Sequence, residues 1–189
     1  MRRPRRIGIP QRTPIFLGCE GESEQAYGQV LNDLLRDGGH PFHLEVVVLN
    51  PGAGDPIARL QRAKKEIARR GQLRAEFRFH AVLMDSDQVD NDTARRQQAE
   101  VLAREFETMI MWQAPCHEAL LLRHFDGFAQ HRPATSADAE AALRRVWPRY
   151  KKPMTKIQLA QQITLEAVRR AGAVEPQLSI FLRGLRLIP

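Results

Sequence analysis

The chain has 189 residues and carries 29 Lys and Arg against 22 Asp and Glu, for a net charge of +7. Hydrophobic residues make up 43% and charged residues 27%, which excludes a globally disordered chain. Two cysteines exclude a disulfide framework and point to a reducing, cytoplasmic location. No apolar run approaches the roughly 20 residues that a membrane helix needs, so no membrane partner is expected. The basic stretch Met1-Arg-Arg-Pro-Arg-Arg6 has no apolar segment behind it and does not read as a secretory signal.

Taken in chain order, Pro14–Cys19 is a short apolar run and reads as a strand that exits at Glu20-Gly21. From Ser23, apolar residues Ala26, Tyr27, Val30, Leu31, Leu34 and Leu35 recur at helical spacing until Asp37-Gly38-Gly39. Phe42–Leu49 is β-branched and reads as a strand, and residues 50–55 read as a loop. Residues 57–70 read as a helix closed by Gly71. Phe77–Met84 is a third strand with Asp85-Ser-Asp87 at its end. Thr93–Phe106 reads as a helix and Thr108–Trp112 as a fourth strand. A helix over Pro115–Phe125 follows, then one over Ser136–Val146 capped by Ser136 or Asp138, then one over Thr155–Ala171. The apolar, basic tail over 178–188 is left unplaced.

Strand alternates with helix four times. That predicts an α/β fold with a mostly parallel, Rossmann-like sheet flanked by helices and a helical C-terminal appendage. The organisation expected is a basic arm at 1–12, a main domain at 13–130 and a helical basic extension at 131–189. In such sheets ligands bind beyond the carboxyl ends of the strands, so Glu20 and the Asp85/Asp87 pair should meet at one rim. Asp-X-Asp at a strand end presents two carboxylates to one side, which suits a hard cation such as Mg²⁺ or Mn²⁺. A third carboxylate nearby suits proton transfer.

The charge is uneven. Residues 1–12 carry five Arg and no acid, residues 13–141 hold 14 basic and 20 acidic side chains, and residues 142–189 hold ten basic and two acidic. An acidic centre inside a basic surface is the arrangement expected of metal-dependent chemistry on a phosphodiester backbone, although on charge alone solvated helix faces with a disordered arm are the commoner explanation. The C-terminal cations are Arg144, Arg145, Arg149, Lys151, Lys152, Lys156, Arg169 and Arg170. Trp147 and Tyr150 are interleaved with them, either as stacking platforms for bases or as cover for the sheet. His117, His124 and His131 recur every seven residues as a candidate helical stripe. Glu118 and His124 fall on different helix faces and read as a cap or a buried hydrogen bond. Neither cysteine has a base at motif spacing, and no cluster has structural-zinc spacing. The 50–55 loop has no Gly-Lys-Ser/Thr and is no nucleotide P-loop.

The stretch Cys19-Glu-Gly-Glu-Ser-Glu-Gln-Ala-Tyr27, followed by Leu83-Met-Asp-Ser-Asp87, resembles a Toprim domain. With Pro115-Cys-His-Glu-Ala-Leu-Leu-Leu-Arg-His-Phe125 added, residues 14–130 resemble the RloB-like family, Toprim proteins found near bacterial restriction and phage-defence loci. The resemblance implies Mg²⁺-dependent cutting or transfer at nucleic-acid phosphodiesters. It assigns proton transfer to Glu20, metal binding to Asp85 and Asp87, and a further ligand position to Glu24. It also implies a C-terminal lysine that neutralises charge, drawn from Lys151, Lys152 and Lys156, and an ATPase supplied by a separate chain. The sequence departs from the pattern at Ser86 and Gln88, where charged residues are usual, and at His117, where an aromatic is usual. The alternative is a non-catalytic nucleic-acid- or partner-binding module on the same frame.

Overall fold

The computed structural model describes residues 12–49, 55–73 and 76–189. Most of the basic arm (1–11) and the 50–54 part of the expected loop lie outside the described residues. The elements are β1 (Thr13–Cys19), α1 (Glu22–Asp37), β2 (Phe42–Val48), α2 (Pro56–Leu73), β3 (His80–Asp85), α3 (Thr93–Glu105) and β4 (Thr108–Gln113). They are followed by α4 (His117–Leu122), α5 (Ser136–Val146), α6 (Lys156–Ala160), α7 (Leu165–Gly172) and α8 (Pro176–Gly184). The sheet has four parallel strands in the order β2-β1-β3-β4. This α/β arrangement is compatible with the Toprim-like, Rossmann-type sheet expected from the sequence. No described helix is long and apolar enough to cross a membrane.

Successive side chains on a strand point to opposite faces, and this parity sorts the core into two layers. Ile15, Leu17 and Cys19 of β1, Ala81 and Leu83 of β3, and Met111 of β4 face one layer. That layer is filled by Tyr27 and Leu31 of α1 and by C-terminal side chains including Leu121, Trp147, Leu159, Val168 and Phe181. Phe16, Val82, Met84, Ile110 and Trp112 face the other, which is closed by Leu60 and Ala63 of α2 and Ala99 and Ala103 of α3. The strands are buried on both faces, which is why they read as unbroken apolar runs.

After β4 the structure differs from the sequence reading in four places. The single helix expected over 155–171 is two helices, α6 and α7. Thr164 starts the second by accepting a hydrogen bond from the Ala167 amide, and the buried Ile163 anchors the break between them. The tail forms α8, which begins with Pro176 in its first turn, where a missing N–H costs nothing. The N-cap of α5 is Thr135, whose hydroxyl accepts from the Asp138 amide, rather than Ser136 or Asp138. The helix expected over 115–125 narrows to His117–Leu122, so the histidine stripe is not one helix face: His117 and His124 are buried and His131 is exposed.

Helix α1 sits tightly on β1 and β2 because Gly28 has no side chain. A Cβ there would stand 2.8 Å from Leu17 Cδ2 and 2.9 Å from Val46 Cγ1. Val46 is branched at Cβ on a paired strand and yields little. Gly28→Ala gains helix propensity but overpacks this seam, so the net effect should be a loss of about 1–3 kcal/mol in denaturant unfolding. An unchanged midpoint would show that α1 can lift without cost.

Candidate active site

The sheet changes winding direction between β1 and β3. Strand β1 crosses to β2 through α1 on one face, and β2 crosses back to β3 through α2 on the other. The crevice beyond the carboxyl ends of these two central strands is where such folds hold ligands. Glu20 follows β1 and Asp85 ends β3 at this point, and the Asp85 amide donates to Glu20 Oε2 at 3.2 Å.

Strand parity separates the two acids. Glu20 has the parity of Phe16, toward α2, and its Oε1 takes a hydrogen bond from Arg59 Nη2 at 2.6 Å. The Arg59 side chain is 7% exposed and its Nε has no partner. Burial raises the Glu20 pKa and the Arg59 charge opposes the rise, leaving the carboxyl above its ordinary range. Asp85 has the parity of Leu83, toward α1 and α4. Its Oδ1 is buried without a hydrogen-bond partner. Burial, then the charges of Glu24, Glu20, Glu118 and Asp87, pushes its pKa up to about 9.

Helix α1 brings Glu24 to the same rim. Glu24 does not face water: it is buried, and its Oε2 accepts from the Gly21 amide at 3.1 Å in a capping arrangement. Helix α4 brings Glu118, also buried. Its Oε1 accepts from Tyr150 Oη at 2.7 Å and pairs with Lys152 Nζ at 2.8 Å. Burial works against the Glu118 charge, but these two partners outweigh it and lower the pKa to about 2. Partial burial likewise opposes the Lys152 charge. Glu118, Glu24 and Asp85 overcome that effect and raise the Lys152 pKa. Asp87 is exposed and its Oδ2 accepts from Ser136 Oγ of α5 at 2.8 Å.

Sequence spacing separated Glu118 from His124 and read each as a cap or a buried hydrogen bond; Glu118 does take a buried hydrogen bond, from Tyr150, and its charge also acts on Asp85. Six residues along one helix say nothing about which neighbour each side chain meets. His124 does have a structural role. Its Nδ1 lies 2.9 Å from the Leu120 carbonyl and its Nε2 lies 3.1 Å from Tyr27 Oη. A carbonyl only accepts, so Nδ1 carries the proton and Nε2 accepts from the tyrosine. Burial lowers the His124 pKa to about 4 and keeps the ring neutral. Trp147 and Tyr150 are buried at 6% and 4% exposure, so they cover the sheet and are not stacking platforms. Of the C-terminal cations, Arg145, Arg149 and Lys151 are exposed, Arg144 pairs with Glu140, and Lys156 pairs with Asp33. Cys19 and Cys116 are buried, and burial raises both thiols, Cys116 to about 12. Neither is a nucleophile at neutral pH.

Arg59 and Ser136 do not stand out as site residues in the sequence. Arg59 is one basic residue among many in α2, and Ser136 looks like a helix cap. Only the contacts with Glu20 and Asp87 distinguish them.

Among the described residues no three His, Cys, Asp or Glu side chains form a ready-made metal cluster. A hard cation of the Mg²⁺ type needs only one or two carboxylates, with water and substrate completing its shell. The unpartnered Asp85 Oδ1 and the crowded acids around it meet that need, so the residues fit a divalent cation.

The crowding has a measurable consequence for the metal-free protein. Asp85 keeps its proton to about pH 9 when folded, whereas in the unfolded chain it ionises near about 4. Its contribution to stability is therefore complete below the unfolded value and is lost as pH rises toward the folded one. In EDTA, Asp85→Asn should match wild type near pH 4 and exceed it by roughly 1–3 kcal/mol at pH 8. Parallel stability–pH curves for the two proteins would show that Asp85 is not under this strain.

No curated protein and no solved structure matches this chain. The family model described as RloB-like protein matches residues 15–179, which runs past the 14–130 resemblance and takes in Ser136 at the start of α5 and Tyr150 and Lys152 between α5 and α6. With most of its length matched in this way, the chain belongs to the RloB-like family.

Proposed function

We propose that this chain is a metal-dependent nuclease that cleaves phosphodiester bonds in nucleic acid and serves bacterial phage defence. The observation that carries the reading is Asp85: a buried carboxyl with an unpartnered oxygen, crowded by four other acids at the strand-end crevice. Family membership supports the same reading. Mg²⁺ or Mn²⁺ would be held by Asp85 and Asp87, with Glu24 as a further ligand. Such an ion supplies charge neutralisation at the phosphoryl oxygens and polarises the reacting centre.

The remaining roles belong to the chain itself. Glu20 holds or releases a proton at its carboxyl, whose raised pKa brings it closer to neutral pH. Arg59 orients that carboxyl through Oε1. Of the three candidate lysines, Lys152 is paired with Glu118 beside the acids, while Lys151 is exposed and Lys156 pairs with Asp33. Lys152 therefore balances charge on the substrate phosphate. Arg144, Arg145, Arg149 and Lys151 hold the nucleic-acid backbone. A separate ATPase chain is the partner that would drive or restrain cutting.

Single-turnover cleavage of plasmid DNA and of RNA, with Mg²⁺ or Mn²⁺, tests the chemistry. Glu20→Gln should keep divalent-ion and nucleic-acid binding and lose cleavage by roughly 10²–10⁴-fold. Equal rates for wild type and variant would remove Glu20 from the mechanism. A second reading, a non-catalytic binding module, is favoured by two observations: no three acids among the described residues form a ready metal cluster, and Glu20 is engaged by Arg59. On that reading wild type cuts nothing and Glu20→Gln changes no activity.

The exposed cations generate a separate expectation. Replacing Arg145, Arg149 and Lys151 together by Gln should weaken nucleic-acid binding and flatten its salt dependence. On duplex DNA the log–log slope should fall by up to about 0.9 for each phosphate that is no longer neutralised. An unchanged slope in a filter-binding or anisotropy titration would place the nucleic acid elsewhere.

A further inference from the structure

We infer that Ser136, at the start of α5, is a positioning residue for Asp87, so that the C-terminal helices set the metal affinity of the strand-end acids. The inference rests on the metal-dependent reading above. A ligand carboxylate on an exposed turn is a poor ligand unless another group fixes its orientation, and outer hydrogen bonds of this kind commonly govern metal affinity.

Asp87 is such a residue. It is exposed, two positions beyond Asp85, and outside any strand. Both ends of it are nonetheless tied to one region of the chain. Its amide donates to the Pro115 carbonyl at 3.0 Å, and the preceding Ser86 amide lies 3.0 Å from both the Gln113 and the Pro115 carbonyls. Its side-chain Oδ2 accepts from Ser136 Oγ at 2.8 Å, across 49 residues of sequence. A hydroxyl has one proton, and placing it on Oδ2 leaves Oδ1 as the oxygen offered to a cation.

The support is itself well seated. The neighbouring Thr135 hydroxyl is committed to Asp138, donating to Oδ2 at 2.8 Å and accepting from the amide at 3.1 Å. Ser136 is thus free of capping duty. Helix α5 rests on α4 through Ala139, Ala119 and Cys116, all buried, and small side chains allow the close approach. Asp87 itself lies two positions beyond Asp85 on the turn that leaves β3, at the strand-end rim where the Asp85 amide holds Glu20. The pairing of Asp87 with Ser136 therefore fixes one oxygen of a carboxylate at that rim and leaves the other for a cation.

Calorimetric titration of the full chain with Mn²⁺ alone, without substrate, tests this. Ser136→Ala should weaken Mn²⁺ binding by roughly 10-fold while melting in EDTA stays unchanged, and Ser136→Thr should restore the affinity. Thr135→Ala removes the α5 cap and should lower the melting temperature while leaving Mn²⁺ affinity near wild type. Equal weakening of Mn²⁺ binding by Thr135→Ala would reduce the effect to helix stability and overturn the proposal. So would unchanged binding by Ser136→Ala, or tighter binding, since tighter binding would mean that Ser136 holds Asp87 away from the cation. If wild type neither binds Mn²⁺ nor cleaves nucleic acid, the metal-dependent reading fails and this inference falls with it. If wild type binds and Ser136→Ala does not differ, only this inference fails.

Discussion

Four acids, Glu24, Glu20, Glu118 and Asp87, lie close enough to Asp85 at the end of β3 for their charges to raise its pKa, and this repulsion is the constraint on which the site depends. Like charges brought together in a partly buried crevice cannot all ionise without compensation. The fold compensates each one differently. Arg59 offsets Glu20, Lys152 and Tyr150 offset Glu118, a backbone amide takes Glu24, and Ser136 takes Asp87. Asp85 receives no such partner at Oδ1 and keeps its proton instead. A buried acid left in this state costs stability in the metal-free protein. Its place at the carboxyl edge of the sheet, where such folds hold ligands, is what supports the metal-dependent reading proposed above.

The pleat of the sheet is what makes different compensation feasible at such short range. Glu20 and Asp85 end neighbouring strands, yet opposite parity turns one toward α2 and the other toward α1 and α4. Arginine can therefore reach Glu20 without also neutralising Asp85. The close seat of α1 at Gly28 carries Glu24 toward the acids from one side, and α4 carries Glu118 from another.

The C-terminal helices are part of this arrangement as well as part of the core. Trp147, Tyr150, Leu159, Val168 and Phe181 bury against the same face of the sheet as Leu17 and Leu83. The polar groups of this segment, Ser136 at the start of α5 and Tyr150 and Lys152 between α5 and α6, all bond to acids of the crevice or its border. The net positive charge of residues 142–189 therefore divides into two populations. Lys152 and Lys156 are paired with Glu118 and Asp33, whereas Arg145, Arg149 and Lys151 are exposed.

Much of this was legible in the amino-acid sequence. Short apolar runs marked all four strands, helical spacing marked the crossovers, and their alternation determined a parallel α/β sheet. Glu20, Asp85 and Asp87 stood out because strand ends in such sheets form one rim, and Glu-Gly-X-X-Glu with a later Asp-X-Asp carried the family resemblance. These features are local, repeating every two or 3.6 residues, or follow from strand order. What the sequence left open depends on contacts between distant segments. Glu118 was read as structural because its partners Tyr150 and Lys152 lie more than 30 positions away. Arg59 could not be told from the other arginines of α2, and Ser136 looked like a cap until Thr135 took that role. Trp147 and Tyr150 sat among cations in sequence, but burying their large apolar surface is favourable, and the tertiary structure turned them inward. Pairing, burial and the protonation of Asp85 are properties of the packed molecule, because each is set by which groups exclude water and which charges end up side by side.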